Sequence, residues 1–262
     1  MIKSIIILVF LSFSSWAKES ELKGAAKALL TKAKTSQPMM RSFDFPHEIV
    51  PTSDDKSFFA VYRPEGVKPK YWIVTLHGSV SFANGDLASW LNKVWGKNTG
   101  IISLQWWIGP RDQWEDYYTP KEIYREISKI LQKEKASPQS VMFVGFSRGS
   151  ATTYPVTALD NQQKKYFLLN VASSGGVEPE TERIKSIPKG ALKNTKWITV
   201  AGKHDFDPNQ GGIPAMQKTA RWLKEQGAVV LESIEDQTSG HGALMRNESN
   251  AHRVLEKFWK LK

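Results

Sequence analysis

Val141-Met142-Phe143-Val144-Gly145-Phe146-Ser147-Arg148-Gly149, continuing into Ser150-Ala151-Thr152, is the stretch on which the reading of this chain turns. Its four leading apolar residues predict a short buried strand, and the residues after Gly149 suit the first turn of a helix. A serine on so sharp a strand-to-helix turn is pushed into a strained backbone conformation that exposes its hydroxyl. Side chains two residues to either side would clash with it, and Gly145 and Gly149 relieve that clash. The N–H groups and positive dipole end of the following helix favour negative charge developing beside Ser147. Two glycines around a serine also mark ordinary strand-to-helix turns, so partner residues must separate the two readings.

A serine hydroxyl is a poor nucleophile at neutral pH and needs a base, with a carboxylate to orient that base. The chain has five histidines. His241, within Ser239-Gly240-His241-Gly242, follows an apolar strand candidate at 229–234 after a short polar loop, which places it as the base. His252 falls inside a helical pattern, His47 on the N-terminal strands, and His77 and His204 beside other candidates. For the acid, the strand candidate 197–200 runs into Ala201-Gly202-Lys203-His204-Asp205-Phe206-Asp207-Pro208. Asp205 is preferred for its short, strand-anchored approach; the alternative, Asp207, precedes Pro208 and reads as a turn residue. Two backbone N–H groups are expected to stabilise an oxyanion. One belongs to Arg148, and the other to the loop His77-Gly78-Ser79-Val80, with Ser79 preferred and Val80 the alternative.

Outward from this site the chain alternates short apolar runs with amphipathic stretches, the pattern of a largely parallel sheet covered by helices. Buried-strand candidates are 72–76, 100–104, 141–144, 166–171, 197–200 and 229–234, preceded by an antiparallel pair at 43–50 and 57–62. One helix begins at Thr119, where Pro120 suits the first helical position and Glu122 completes a capping box. A second carries Leu87, Trp90, Leu91 and Val94 on one stripe and stops at Gly96. Others start at Pro214 and end at Gly227, or bury Ala251, Val254, Leu255 and Phe258 near the C terminus.

His77-Gly78 after a strand, 145–149, 202–205 and Gly240-His241, in the order serine, acid, histidine, together resemble the α/β-hydrolase superfamily. Ser173-Ser174-Gly175-Gly176 after a strand adds a similarity to small secreted serine esterases of the feruloyl-esterase, polyester-depolymerase and dienelactone-hydrolase-like groups. The resemblance implies a mostly parallel sheet of about eight strands with a minimal cap. It also implies ester hydrolysis through an acyl-enzyme intermediate, without metal or organic cofactor. A serine peptidase, an acyltransferase or a non-catalytic binding protein would use the same scaffold.

Lys3, the apolar run 5–13 and Ser15-Trp16-Ala17 read as a signal peptide over 1–17, too short for the ~20 apolar residues that span a bilayer. A helical leader over 18–42 and a catalytic domain over 43–262 are expected to follow, in the periplasm or outside the cell. Cysteine is absent, which excludes disulfides, thiolate catalysis and a lipid-modified anchor. The net charge of +10 is scattered among acids with no basic run, so no nucleic-acid partner is expected. Trp106, Trp107, Trp114, Tyr117 and Tyr118 cluster between a strand end and the Thr119 helix. Trp106, Trp107 and Trp114 are substrate-binding candidates for an aryl acyl group or a sugar, and Arg111 for an anionic substrate. The plainer alternative is that these rings cover the sheet edge.

Overall fold

A computed structural model describes residues 17–19, 21–37 and 39–261. The apolar run before Ser147 becomes β6 (Val141–Phe146), and helix α4 (Arg148–Gln162) begins at the residue after the serine. Every strand expected from the sequence is present: β2 (His47–Pro51), β3 (Phe58–Tyr62), β4 (Tyr71–Leu76), β5 (Thr99–Leu104), β7 (Phe167–Ser173), β8 (Lys196–His204) and β9 (Val229–Gly240). A three-residue strand, β1 (Ala17–Glu19), adds to this set and pairs parallel to β2. Among the described residues the strands form one sheet in the order β1-β2-β3-β5-β4-β6-β7-β8-β9. Only β3 runs against its neighbours, pairing antiparallel to both β2 and β5.

β4 lies between β5 and β6, both parallel to it. The strand order therefore reverses there, and the loops after β4 and β6 diverge over a crevice where α/β sheets place ligands. β4 and β5 are buried along their whole length, as strands covered on both faces must be.

The helices follow their sequence signals. α2 (Ala83–Val94) buries Leu87, Trp90, Leu91 and Val94, and the chain leaves it through Gly96 at φ +70°. α3 (Pro120–Lys133) is capped by Thr119: its hydroxyl accepts from the Glu122 N–H at 3.3 Å, while Glu122 Oε2 accepts from the Thr119 N–H at 2.9 Å. α6 (Ile213–Glu225) buries Met216, Ala220 and Leu223, and α8 (Glu248–Lys260) buries the stripe expected of it; the short α5 (Glu182–Lys185) and α7 (Ala243–Arg246) lie in connections. α1 (Gly24–Thr35) packs Ala26, Leu29, Leu30 and Ala33 into the same core as the sheet.

β2, β6 and β7 run one or two residues past their predicted ends, to Pro51, Phe146 and Ser173, while β8 and β9 run farther and lead into the site. β8 continues past 200 to His204, and β9 continues past 234 to Gly240, with His204 paired to Gly240. The expected polar loop before His241 is thus strand. β9 is an edge strand that turns polar after Ile234, so an apolar pattern could not reveal its second half. The signal-peptide segment lies outside the described residues except for Ala17. Among the described residues no helix is long and apolar enough to cross a membrane.

The α3 cap is a testable contribution to this frame. Thr119→Ala removes the hydroxyl that accepts from the Glu122 N–H and donates to Glu122 Oε2, and is expected to lower unfolding free energy by about 1 kcal/mol in urea titrations, with an unchanged m-value.

Candidate active site

Ser147 occupies φ 53°, ψ −119°, a conformation that costs a non-glycine residue roughly 1–3 kcal/mol. Its surroundings enforce it. The Ser147 N–H donates to the Ser173 carbonyl at 2.9 Å. A Cβ on Gly149 would stand 2.1 Å from the Leu76 carbonyl oxygen, one on Gly145 2.4 Å from that of Gly149, and one on Gly175 2.0 Å from that of Ser147. Gly175 is fixed in turn, because its carbonyl accepts from Ser150 Oγ at 2.7 Å and from the Tyr154 hydroxyl at 2.8 Å.

β8 and β9 are adjacent and parallel, so residues just beyond their paired ends meet. His241 Nδ1 lies 2.8 Å from Asp205 Oδ2, with the Asp205 side chain fully buried and the His241 side chain 18% exposed. The other Asp205 oxygen accepts from the Asp207 N–H at 3.0 Å. Asp207 serves a different purpose: its Oδ1 accepts from the N–H groups of Asn209 and Gln210 and shapes the turn. The His241 ring sits against Phe146 and Phe206, at centroid distances of 5.0 and 4.5 Å. Gly202, where a Cβ would meet the Ser239 and Gly240 carbonyls, lets the two strand ends close on each other.

Asp236 secures the loop that carries His241. Oδ1 accepts from the Thr238 and Ser239 N–H groups at 2.8 and 2.9 Å, and Oδ2 accepts from Asn247 and Asn250 at 2.6 and 2.7 Å. Burial pushes its pKa up, but these donors outweigh it and hold the carboxyl well below the usual carboxylate range. No sequence pattern singled out Asp236, since an acid in a polar run reads as surface, whereas Asp236 is buried.

After β4 the chain passes over the serine: a Cβ on Gly78 would lie 3.3 Å from Ser147 Cβ. His77 is buried, and its Nδ1 contacts the Gly78 carbonyl at 2.8 Å. Burial pushes His77 down to about 4 despite that hydrogen bond, so its ring is neutral and Nδ1 is the donor. In a trans peptide the carbonyl and the next N–H point in opposite directions. Holding the Gly78 carbonyl therefore sets the direction of the Ser79 N–H. The Val80 N–H is occupied, donating to the Tyr117 hydroxyl at 3.0 Å. Arg148 ties this loop to the helix start, with Nε donating to Ser79 Oγ at 2.9 Å, Nη2 paired with Asp112 at 3.1 Å, and the guanidinium over the rings of Trp114 and Tyr117.

Ser147, Arg148, Ser79, His241 and Trp114 line one cleft of about 200 Å³, together with Ser174, Gly175 and Phe206. Ser174 and Phe206 were not among the sequence candidates; Phe206 is 80% exposed, and only the folded loop brings its ring beside His241. The expected substrate contacts divide. Trp114 faces the cleft, but Trp106 and Trp107 are fully buried, their indole N–H groups donating to the carbonyls of His77 and Arg111. They support the loops and cannot touch a substrate, because packing claims large rings first. Arg111 also lies apart from the cleft lining, exposed and 3.7 Å from Asp116.

No protein-family model and no curated protein matches the sequence. Solved structures do match. An esterase of the fungus Rhizomucor miehei superposes with TM-score 0.61 at 11% identity, over 92% of this chain and 97% of its own. The Bacillus cereus carboxylesterase gives 0.56 at 13% over 87% and 100%, and a phospholipase/carboxylesterase of Dyadobacter fermentans gives 0.52 at 19% over 75% and 95%. The chain has the α/β-hydrolase fold.

Two outcomes test this geometry. Gly175→Ala forces a methyl into the Ser147 carbonyl and is expected to displace the elbow, giving a mutant that folds with reduced stability and at least about a tenfold loss of fluorophosphonate labelling rate. For His77, the unfolded chain takes up a proton near pH 6.5 that the folded chain refuses until about 4. Stability is therefore expected to fall as pH drops from 6.5 to 4, and His77→Gln to flatten that slope in denaturation midpoints measured across the window.

Proposed function

We propose that this chain is an exported serine hydrolase that cleaves carboxylic esters through an acyl-enzyme intermediate. The observation that carries the reading is the 2.8 Å contact between His241 Nδ1 and the buried Asp205 carboxylate, with His241 lining the same cleft as Ser147. In this reading Asp205 fixes the imidazole tautomer with Nδ1 protonated, which leaves Nε2 as the base for the serine proton.

Ser147 Oγ attacks the ester carbonyl as His241 takes its proton. The carbonyl oxygen becomes an oxyanion, held by the N–H groups of Arg148 and Ser79. Ser79 is favoured over Val80 because the Val80 N–H already donates to Tyr117. Collapse of the tetrahedral intermediate expels the alkoxide, which receives the proton from His241, and an acyl-serine remains. Water then attacks the acyl group with His241 again as base, releasing the acid and restoring Ser147. Trp114 forms one wall of the substrate cleft. Export rests on the basic, apolar and small-residue pattern of the first seventeen residues, and hydrolysis of esters is further supported by the esterases that share the fold.

A fluorophosphonate probe is expected to label the wild type at Ser147 and to leave Ser147→Ala unlabelled. Asp205→Asn is expected to keep the fold and lower kcat on short-chain nitrophenyl esters by about 10³–10⁴, whereas Asp207→Asn changes it less than tenfold. A folded wild type that neither reacts with the probe nor turns over any ester would refute the proposal.

A further inference from the structure

Beside the catalytic cleft lies a second, larger hollow of about 690 Å³, and the two share Trp114 as a common wall. They also follow one helix. Ala151 of α4 lines the cleft, and Thr152 and Pro155 line the larger groove. Thr152 stands five residues beyond Ser147, which at the rise of a helix is about 7.5 Å along its axis. The groove is thus within reach of one end of a molecule whose ester carbonyl sits at Ser147.

Most of the groove wall is apolar, from Pro155, Leu159 and Ile187 among others, but one strong charge enters it. Arg183, from α5, stands over the Trp114 ring with Cζ 3.2 Å from its centroid, and its Nη1 donates to Thr152 Oγ1 at 3.4 Å. It makes no ion pair among the described residues. Glu178, which lines the neighbouring cleft, acts on it only as a nearby charge, and Arg148, on the same indole, opposes it. Burial lowers the Arg183 pKa to about 10, which still leaves it cationic at neutral pH. A half-buried guanidinium with one weak hydrogen bond retains most of its five donors, and its fork geometry matches a carboxylate or sulfate. Lys121, on the α3 side of the groove, adds a second positive charge.

We infer that this groove is the specificity subsite of the enzyme, and that it takes esters bearing an anionic group, held by Arg183, at the end of an apolar spacer. The inference rests on the serine-hydrolase reading of Ser147 and names the substrate class of that same site. The anion belongs either to the acyl half or to the leaving alcohol, because both halves of an ester diverge from the carbonyl at Ser147.

Paired substrates test this. In the acyl arm, para-nitrophenyl hydrogen suberate is compared with para-nitrophenyl octanoate. In the alcohol arm, the butyrate ester of para-hydroxybenzoate is compared with that of para-hydroxybenzamide. In one arm the wild type is expected to favour the anionic member by about ten- to a hundredfold in kcat/KM, and Arg183→Gln to remove that preference, while Arg183→Lys retains part of it. The preference should also shrink with added salt. Where Arg183→Gln fails to fold, competitive inhibition of the wild type by octanoate but not by octanol carries the same information. Equal rates on both members of both pairs, or a preference that survives Arg183→Gln, overturns the subsite. A wild type that labels with fluorophosphonate yet shows no anionic preference sinks only this inference, whereas a protein inert to the probe sinks the serine-hydrolase reading itself.

Discussion

The structure depends on backbone meeting backbone around Ser147. The serine is held at a strained positive φ because three other segments press on its turn: the end of β4 through Gly149, the loop after β7 through Gly175, and the start of α4 through Gly145. None of these contacts leaves room for a methyl group. Strain of this kind persists only where the surroundings over-determine it. Here the central strands β4, β6 and β7 do so, since their ends converge on the one residue.

From that constraint the remaining site follows as a set of strand ends. β8 and β9 are in register past the sheet body, and this brings Asp205 and His241 together at 2.8 Å. The loop after β4 is stiffened from below by Trp106 and His77 and from the side by Tyr117 and Arg148. Arg148 therefore has two tasks. In the proposed reaction its N–H is assigned to the oxyanion, and its side chain ties the Ser79 loop to the aromatic wall shared by the cleft and the larger groove. Indole and guanidinium alternate along that wall, which leaves Arg183 directed at the groove.

Much of this was legible beforehand because it rests on local rules. The strand before Ser147, the glycines around it, the Thr119 capping box and the stops at Gly96 and Gly227 each follow from steric and hydrogen-bonding demands within a few residues. The order Ser147, Asp205, His241 was also readable, since each candidate lies in the segment that follows an apolar strand. Illegible parts involved distance along the chain. The fate of the aromatic cluster is an example: Trp106 and Trp107 went to the core and Trp114 to the surface, although all three sit in one loop of similar composition. The length of β9 is another, because its polar half is held by pairing with β8 and carries no pattern of its own.

By itself the sequence determined the chemistry of the candidate nucleophile, the succession of strands and helices, and the short list from which acid, base and oxyanion donors were drawn. Local sterics suffice for those. Tertiary structure alone decided that Asp205 and not Asp207 reaches His241, that the Val80 N–H is taken by Tyr117, that Asp236 anchors the histidine loop, and that Arg183 stands beside Trp114 over a groove. Each of those outcomes is a pairing between segments tens of residues apart, and such pairings are set by strand register and packing, which no local pattern encodes.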